Sequence, residues 1–171
     1  MQCGDEDTLQ VPIEYIQKSV TIKNMLEDLG FSEGTESLAI PLYNIKKDVL
    51  LLVIDYCKMH LEEEERKEED RRRDLEVSKA DEAFIEGLPA AGRPYEKLCE
   101  LMLAANYLDI KSLLDLACKT LAKKVIGKDP KQLCLEFGVT DPITEKDYEA
   151  VKEKYEWAAN YTPDFSFDDE K

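Results

Sequence analysis

The chain has 171 residues, enough for one domain with a helical extension and a proper core. Its 23 basic residues face 38 acidic ones, for a net charge of -15, which repels nucleic-acid phosphates and anionic membrane surfaces; neither a nucleic acid nor a membrane is an expected partner. No apolar run approaches the ~20 residues that span a bilayer, and residues 1–10 are polar and acidic rather than signal-like, so a cytoplasmic and nuclear location is expected. Five cysteines without a CxxC pair read as reduced core thiols rather than a disulfide frame.

In chain order, residues 8–13 (TLQVPI) predict a short strand, because Leu9, Val11 and Ile13 alternate with polar neighbours. The segment 1–7 before it is too polar for another strand. Ser19 opens a helix in which Ile22, Met25, Leu26 and Leu29 recur at helical spacing and Gly30 is the stop. A second short strand is predicted over 38–42. Asn44 is the candidate N-cap of a helix over 46–60, whose centre LLLVIDYC is apolar enough for burial on more than one side. The alternation strand, helix, strand, helix defines a small α+β unit.

Residues 62–74 (EEEERKEEDRRRD) then form a charged insertion, with opposite charges four apart that support a solvated, mobile or partly helical segment. Residues 87–94 (GLPAAGRP) cannot continue a helix. The longest apolar helical run follows at 98–128, broken at Tyr107–Leu108, with Asp109 placed to cap the second half and Gly127 and Pro130 ending it. In that second half Ile110, Leu113, Leu114, Leu116, Ala117, Cys118, Leu121 and Val125 cover roughly 200° of the helix, about twice the stripe one core requires. Leu114, Cys118, Leu121 and Val125 form one stripe; Leu113, Ala117 and Thr120 form its neighbour. The helix therefore has a face for the core and a face to spare.

Residues 131–138 predict a short amphipathic turn or helix carrying Leu133, Leu135 and Phe137. The last helix begins at Thr144, with Asp147 completing a capping box and Tyr148, Val151, Tyr155 and Ala158 as its core stripe. Trp157 projects from the opposite side and is a candidate interface anchor, unless it folds back under the helix end. The tail 161–171 (YTPDFSFDDEK) alternates aromatic and acidic residues, too polar to hold a core; Tyr161, Phe165 and Phe167 are candidates to dock in a groove.

Little points to catalysis. His60 with Cys57 makes a lone CxxH pair with no second pair to complete a zinc site and no motif-fixed acid to orient a nucleophile; His60 reads as a surface residue at a helix end. There is no P-loop and no dinucleotide fingerprint, so no cofactor, metal or catalytic residue is expected.

The segments SVTIKNMLEDLG (19–30), LAANYLDIKSLLDLACKTLA (103–122), IGKDP (126–130) and EKYEW (153–157) resemble the S-phase-kinase-associated (SKP) adaptor family of cullin–RING ubiquitin ligases. The likeness spans roughly residues 8–157, with the charged insertion where that family carries its acidic loop. It implies a BTB/POZ-type α+β domain over 1–108, an F-box-binding helical region over 109–160 and a disordered tail over 161–171. It also implies an adaptor that bridges a cullin to F-box substrate receptors for ubiquitin-dependent degradation, with a structural subunit of a non-ligase assembly as the alternative. Asn106 and Tyr107 match the cullin-contacting positions. Leu114, Cys118, Leu121, Val125, Leu133, Phe137, Val139 and Trp157 match the F-box-contacting ones. Four departures stand out: the family's first strand is missing or reduced to residues 1–3, Ala replaces the usual Trp near 80–84, the loop at 88–94 is irregular or longer, and the tail after Trp157 is extended. An uncovered stripe of this size also makes a homodimer the expected state when no F-box protein is bound.

Overall fold

The computed structural model describes residues 1–4, 8–28, 40–63, 76–89, 92–139 and 144–157. The charged insertion from residue 64 onward and the tail lie outside them, as do Leu29, Gly30 and Ala158. The chain groups into two compact units, Met1–Lys128 and Asp129–Lys171.

The first unit holds a two-stranded parallel sheet, β1 (Gln2–Cys3) and β2 (Pro41–Leu42), with Gln2 opposite Pro41 and Cys3 opposite Leu42. A 3-10 turn at Ile13–Ile16 precedes α1 (Val20–Asp28). Then come α2 (Lys47–Met59), α3 (Lys79–Glu86), α4 (Glu96–Tyr107) and α5 (Lys111–Val125). The second unit holds α6 (Pro130–Phe137) and α7 (Glu145–Lys154). The architecture is α+β, mostly helical, as expected.

Residues 1–7 look too polar for a strand, yet β1 survives in the reduced form over residues 1–3 that the family likeness allows. Gln2 donates its N–H to the Ile40 carbonyl (2.8 Å) and Gly4 to that of Ile45 (2.9 Å), so a polar start becomes a strand because its backbone groups find partners. Gly4 is required there: a Cβ would stand 2.3 Å from the Tyr43 carbonyl oxygen. The strand predicted over 8–13 is reduced to one antiparallel bridge between Thr8 and Gln2. Pro12, which has no N–H to give a ladder, instead accepts from the Tyr15 N–H (3.2 Å) and opens the 3-10 turn.

Helix α2 is the central post of the core. Val49, Leu50, Val53, Ile54, Tyr56 and Cys57 are buried along it, on more than one side as its composition requires. Its N-cap is Lys46 rather than Asn44, with no side-chain cap bond; Asn44 lies in a turn closed by the Ile45 N–H on the Leu42 carbonyl (3.1 Å), and only Lys46 is extended before the helix starts. Leu98, Leu101, Ala104 and Ala105 from α4 and Leu113, Leu116 and Ala117 from α5 close the same core.

At the end of α2, His60 is buried rather than exposed. Its Nδ1 lies 2.9 Å from Glu63 Oε2, its Nε2 2.9 Å from Asp81 Oδ1, and its ring packs 4.3 Å from the Tyr56 ring. The partner Asp81 comes from α3, where Ser78 caps the helix by accepting from the Asp81 N–H (3.1 Å) and donating to Asp81 Oδ2 (2.8 Å). Two carboxylates thus stand opposite the two ring nitrogens that burial removes from water.

In the second unit, Asp129 caps α6 through the Lys131 N–H (2.8 Å), with Pro130 in the first turn and Gly138 left-handed (φ 66°) at the stop. The capping box of α7 forms as predicted: Asp147 N–H donates to Thr144 Oγ1, and Thr144 N–H to Asp147 Oδ2. Its predicted core stripe does not bury. Tyr148 is half-buried and Val151 and Tyr155 are exposed, because neither α6 nor α7 buries a single residue among those described. Two short helices lack the apolar area for a core of their own.

Candidate interaction surfaces

The corner between α4 and α5 is built by backbone satisfaction. Leu108 and Ile110 are buried on either side of Asp109, which adopts the left-handed conformation (φ 50°) that reverses the chain in three residues. Asp109 therefore does not cap α5; Ile110 occupies the N-cap without a side-chain bond. The Ile110 N–H closes the turn on the Ala105 carbonyl (2.9 Å). Two carbonyls left over at the end of α4 are taken by the start of α1: Ser19 Oγ donates to Leu108 O (2.6 Å) and Thr21 Oγ1 to Tyr107 O (3.0 Å). Ser19 Oγ also accepts from the Ile22 N–H (3.1 Å), so one hydroxyl starts α1 and braces the corner.

On this braced corner Asn106 is exposed and Tyr107 half-buried. One turn earlier Leu103 is 71% exposed, a large apolar side chain three and four residues from both. Leu103 is not among the contact positions that the family likeness implies. The signal was available, since a residue three before Asn106 shares its face of the helix.

Helix α5 divides its apolar surface as its periodicity predicts. Leu113, Leu116 and Ala117 are buried, while Leu114, Leu121 and Val125 are half-buried and Cys118 is exposed. Thr120 turns inward on its own helix, donating Oγ1 to the Leu116 carbonyl (2.9 Å). Leu114 and Leu121 of the outer stripe also pack against the core, so its outward apolar surface comes from their exposed parts together with Cys118 and Val125. Desolvation, followed by the Asp115 charge, pushes the Cys118 thiol up, so it stays protonated and serves as a small apolar surface. In the second unit Leu133 and Phe137 share one face of α6 and are half-buried, Val139 is exposed, and Trp157 is 73% exposed. Exposure at that level excludes a Trp folded back under the helix end.

The CxxH pair is no dyad. Burial pushes the Cys57 thiol up to about 11, and both His60 nitrogens point at carboxylates instead of sulfur. Among the described residues no group of three or more His, Cys, Asp or Glu side chains is arranged to hold a metal ion, and no helix is long and apolar enough to cross a membrane.

A small sheet backed by helices, ending in a helix with a free apolar stripe, defines a POZ-type interaction domain. The Skp1 family tetramerisation (POZ) domain matches residues 1–62, and the Skp1 family dimerisation domain matches residues 111–158. The chain belongs to the Skp1 family. It is 34% identical over 161 residues to the E3 ubiquitin ligase complex SCF subunit sconC of Talaromyces stipitatus, covering 92% of this chain and 94% of that relative. The SCF ubiquitin ligase complex protein SKP1a of Dictyostelium discoideum is 35% identical over 162 residues, covering 92% of this chain and 93% of that protein. The sconC subunit of Arthroderma otae reaches 36% over 159 residues, covering 91% of this chain and 90% of its own length.

Proposed function

We propose that this chain is a non-enzymatic adaptor subunit of an SCF-type ubiquitin ligase, bridging a cullin to F-box substrate receptors in the cytoplasm and nucleus. The observation that carries the reading is the pair of separate outward surfaces on one rigid helical corner. Leu103 and Asn106 face out at the end of α4 beside a half-buried Tyr107, and on the outer stripe of α5 Cys118 is exposed while Leu114, Leu121 and Val125 are half-buried. The names of the relatives as SCF subunits support the same conclusion.

The mechanism is positioning. A cullin takes the α4 end. An F-box helix pair covers the α5 stripe; the second unit has apolar residues of its own to offer an F-box protein in Leu133, Phe137, Val139 and Trp157. Each well-buried anchor then costs about 2 kcal/mol or more on truncation. The test is a pull-down on a cullin N-terminal domain, comparing wild type with Asn106→Lys/Tyr107→Lys. Wild-type retention lost in the variant supports the adaptor. Failure of the wild type to bind any cullin, with F-box binding intact, favours a structural subunit of a non-ligase assembly that uses the same surfaces.

A further inference from the structure

His60 is the one histidine of the sequence, buried at the end of α2, and it belongs to neither proposed partner surface. Its carboxylate neighbours are each held in place by other bonds. Glu63 is fixed by its backbone: its N–H donates to the His60 carbonyl (3.1 Å) and its own carbonyl accepts from Lys18 Nζ (2.8 Å), with its carboxylate beside ring Nδ1. Asp81 is fixed by the cap of α3, where its Oδ2 accepts from the Ser78 hydroxyl (2.8 Å) while its Oδ1 faces ring Nε2. The Tyr56 ring lies beside the imidazole, centroids 4.3 Å apart.

This arrangement sets a condition on protons. An ionised carboxylate only accepts, and a neutral imidazole has one N–H to donate and one lone pair. Only the imidazolium donates to Glu63 and Asp81 together, through charge-assisted bonds. Once that proton leaves, one nitrogen turns a lone pair on a carboxylate oxygen 2.9 Å away, and one contact must open. Glu63, 62% exposed, has solvent to turn to; Asp81, 17% exposed, keeps a neutral and weaker N–H donor. The groups facing the ring from α2 hold their protons meanwhile. Burial pushes the Tyr56 hydroxyl up to about 12, against the smaller opposing effect of its bond to Ser112, and burial pushes the Cys57 thiol up to about 11. Lys18, from the turn before α1, meets the cluster at the Glu63 carbonyl.

Helix α3 has most to lose. Ile85 is its one buried side chain, Phe84 reaches the Tyr56 ring at 5.8 Å, and Asp81 on His60 is its polar hold on the end of α2. An element with so little buried area opens locally at low cost. Ile85 also lines, with Leu88 and Leu98, a cleft of about 590 Å³ between α3 and α4, so movement of α3 reshapes that cleft.

We propose that His60 is a proton-operated latch on α3: as the imidazolium it ties Asp81 and Glu63 to one point, and on losing its proton it lets Glu63 go and holds α3 by a weaker bond. By linkage, a proton bound more favourably in the latched arrangement stabilises it at low pH, and that stability is lost as pH rises through the range from about 5 to 8 in which histidine ordinarily changes charge. The latch stands or falls separately from the adaptor reading.

The test uses the full chain without a polyhistidine tag, so that the one histidine Cε1–H resonance reports His60. Amide exchange is followed by NMR from about pH 5.5 to about pH 8.5 and expressed as protection factors, which remove the intrinsic effect of pH. Protection of α3 should fall roughly tenfold across that range relative to α4 and α5, with the midpoint of the ring titration. His60→Gln, which keeps a donor and has no proton to lose, should abolish the fall. Glu63→Gln, an exposed change whose amide either accepts from the ring or donates to it, should reduce the fall and keeps the test available where His60→Gln does not fold. Three outcomes overturn the proposal: a ring that does not titrate in this range, α3 protection that stays constant while the ring titrates, or a fall of the same size in the variants.

Discussion

Ser19 connects two parts of the first unit that are 89 residues apart in sequence: it caps α1 and takes the Leu108 carbonyl at the corner that presents Asn106 and Tyr107. Ser19→Ala removes both bonds and leaves a buried carbonyl without its donor, so we expect a loss of about 2 kcal/mol in urea unfolding. Thr21→Ala, whose bond is less buried, should cost less. Charge at single residues sets a second expectation. Hydrogen bonding from Lys97 holds the Asp48 carboxyl below its ordinary value of 3.8, and Lys46 followed by Lys97 holds Glu100 below 4.5. Carboxyls with lowered values in the folded state add stability that is complete above their ordinary range and disappears as pH falls through the lowered values. Glu100→Gln should therefore flatten the decline in stability below about pH 4. An unchanged slope in a pH series of unfolding curves would count against the cluster. The partner lysines are raised, so their contribution is present below 10.5 and lost as pH rises through the higher folded values.

At the scale of elements, periodicity made the long helices legible and left the short or long-range features hidden. Helices α1, α2, α4 and α5 follow from apolar residues at three- and four-residue spacing, and the two-faced character of α5 was readable because more than half its circumference is apolar. The strand β1 has two residues and so no period to read; its identity comes from carbonyls near residue 40. His60 looked like a surface residue because the Asp81 that permits its burial lies 21 residues away. The stripe on α7 had a helical period, yet period alone does not supply a second layer to bury against. Since α7 buries nothing, its start depends on local bonds, and Thr144→Ala should lower stability of that helix by about 1 kcal/mol. Amide exchange is the suitable probe: faster exchange confined to the first turn of α7 is expected, with α4 and α5 unaltered.

For the whole molecule, the proposed adaptor role rests on surfaces of the first unit, the corner at the end of α4 and the outer stripe of α5. The outer stripe of α5 and the exposed Leu135, Val151, Tyr155 and Trp157 of the second unit leave much apolar surface to solvent. Isolated chain should accordingly self-associate as concentration rises in sedimentation experiments, and Leu121→Asp should shift it toward monomer. The candidate contact residues were named from the sequence by their likeness to a family, and the structure adds Leu103 by its exposure. What sequence could not supply was the cleft between α3 and α4, to which α5 contributes Lys124 from about 30 residues further along the chain. Reconstituting the bridge decides the adaptor role: an F-box domain is captured on immobilised cullin N-terminal domain only when this chain is added. Wild type should form the bridge, Leu121→Asp/Trp157→Ala should keep the cullin but lose the F-box domain, and Asn106→Lys/Tyr107→Lys should do the reverse; a bridge that survives both double variants contradicts the account.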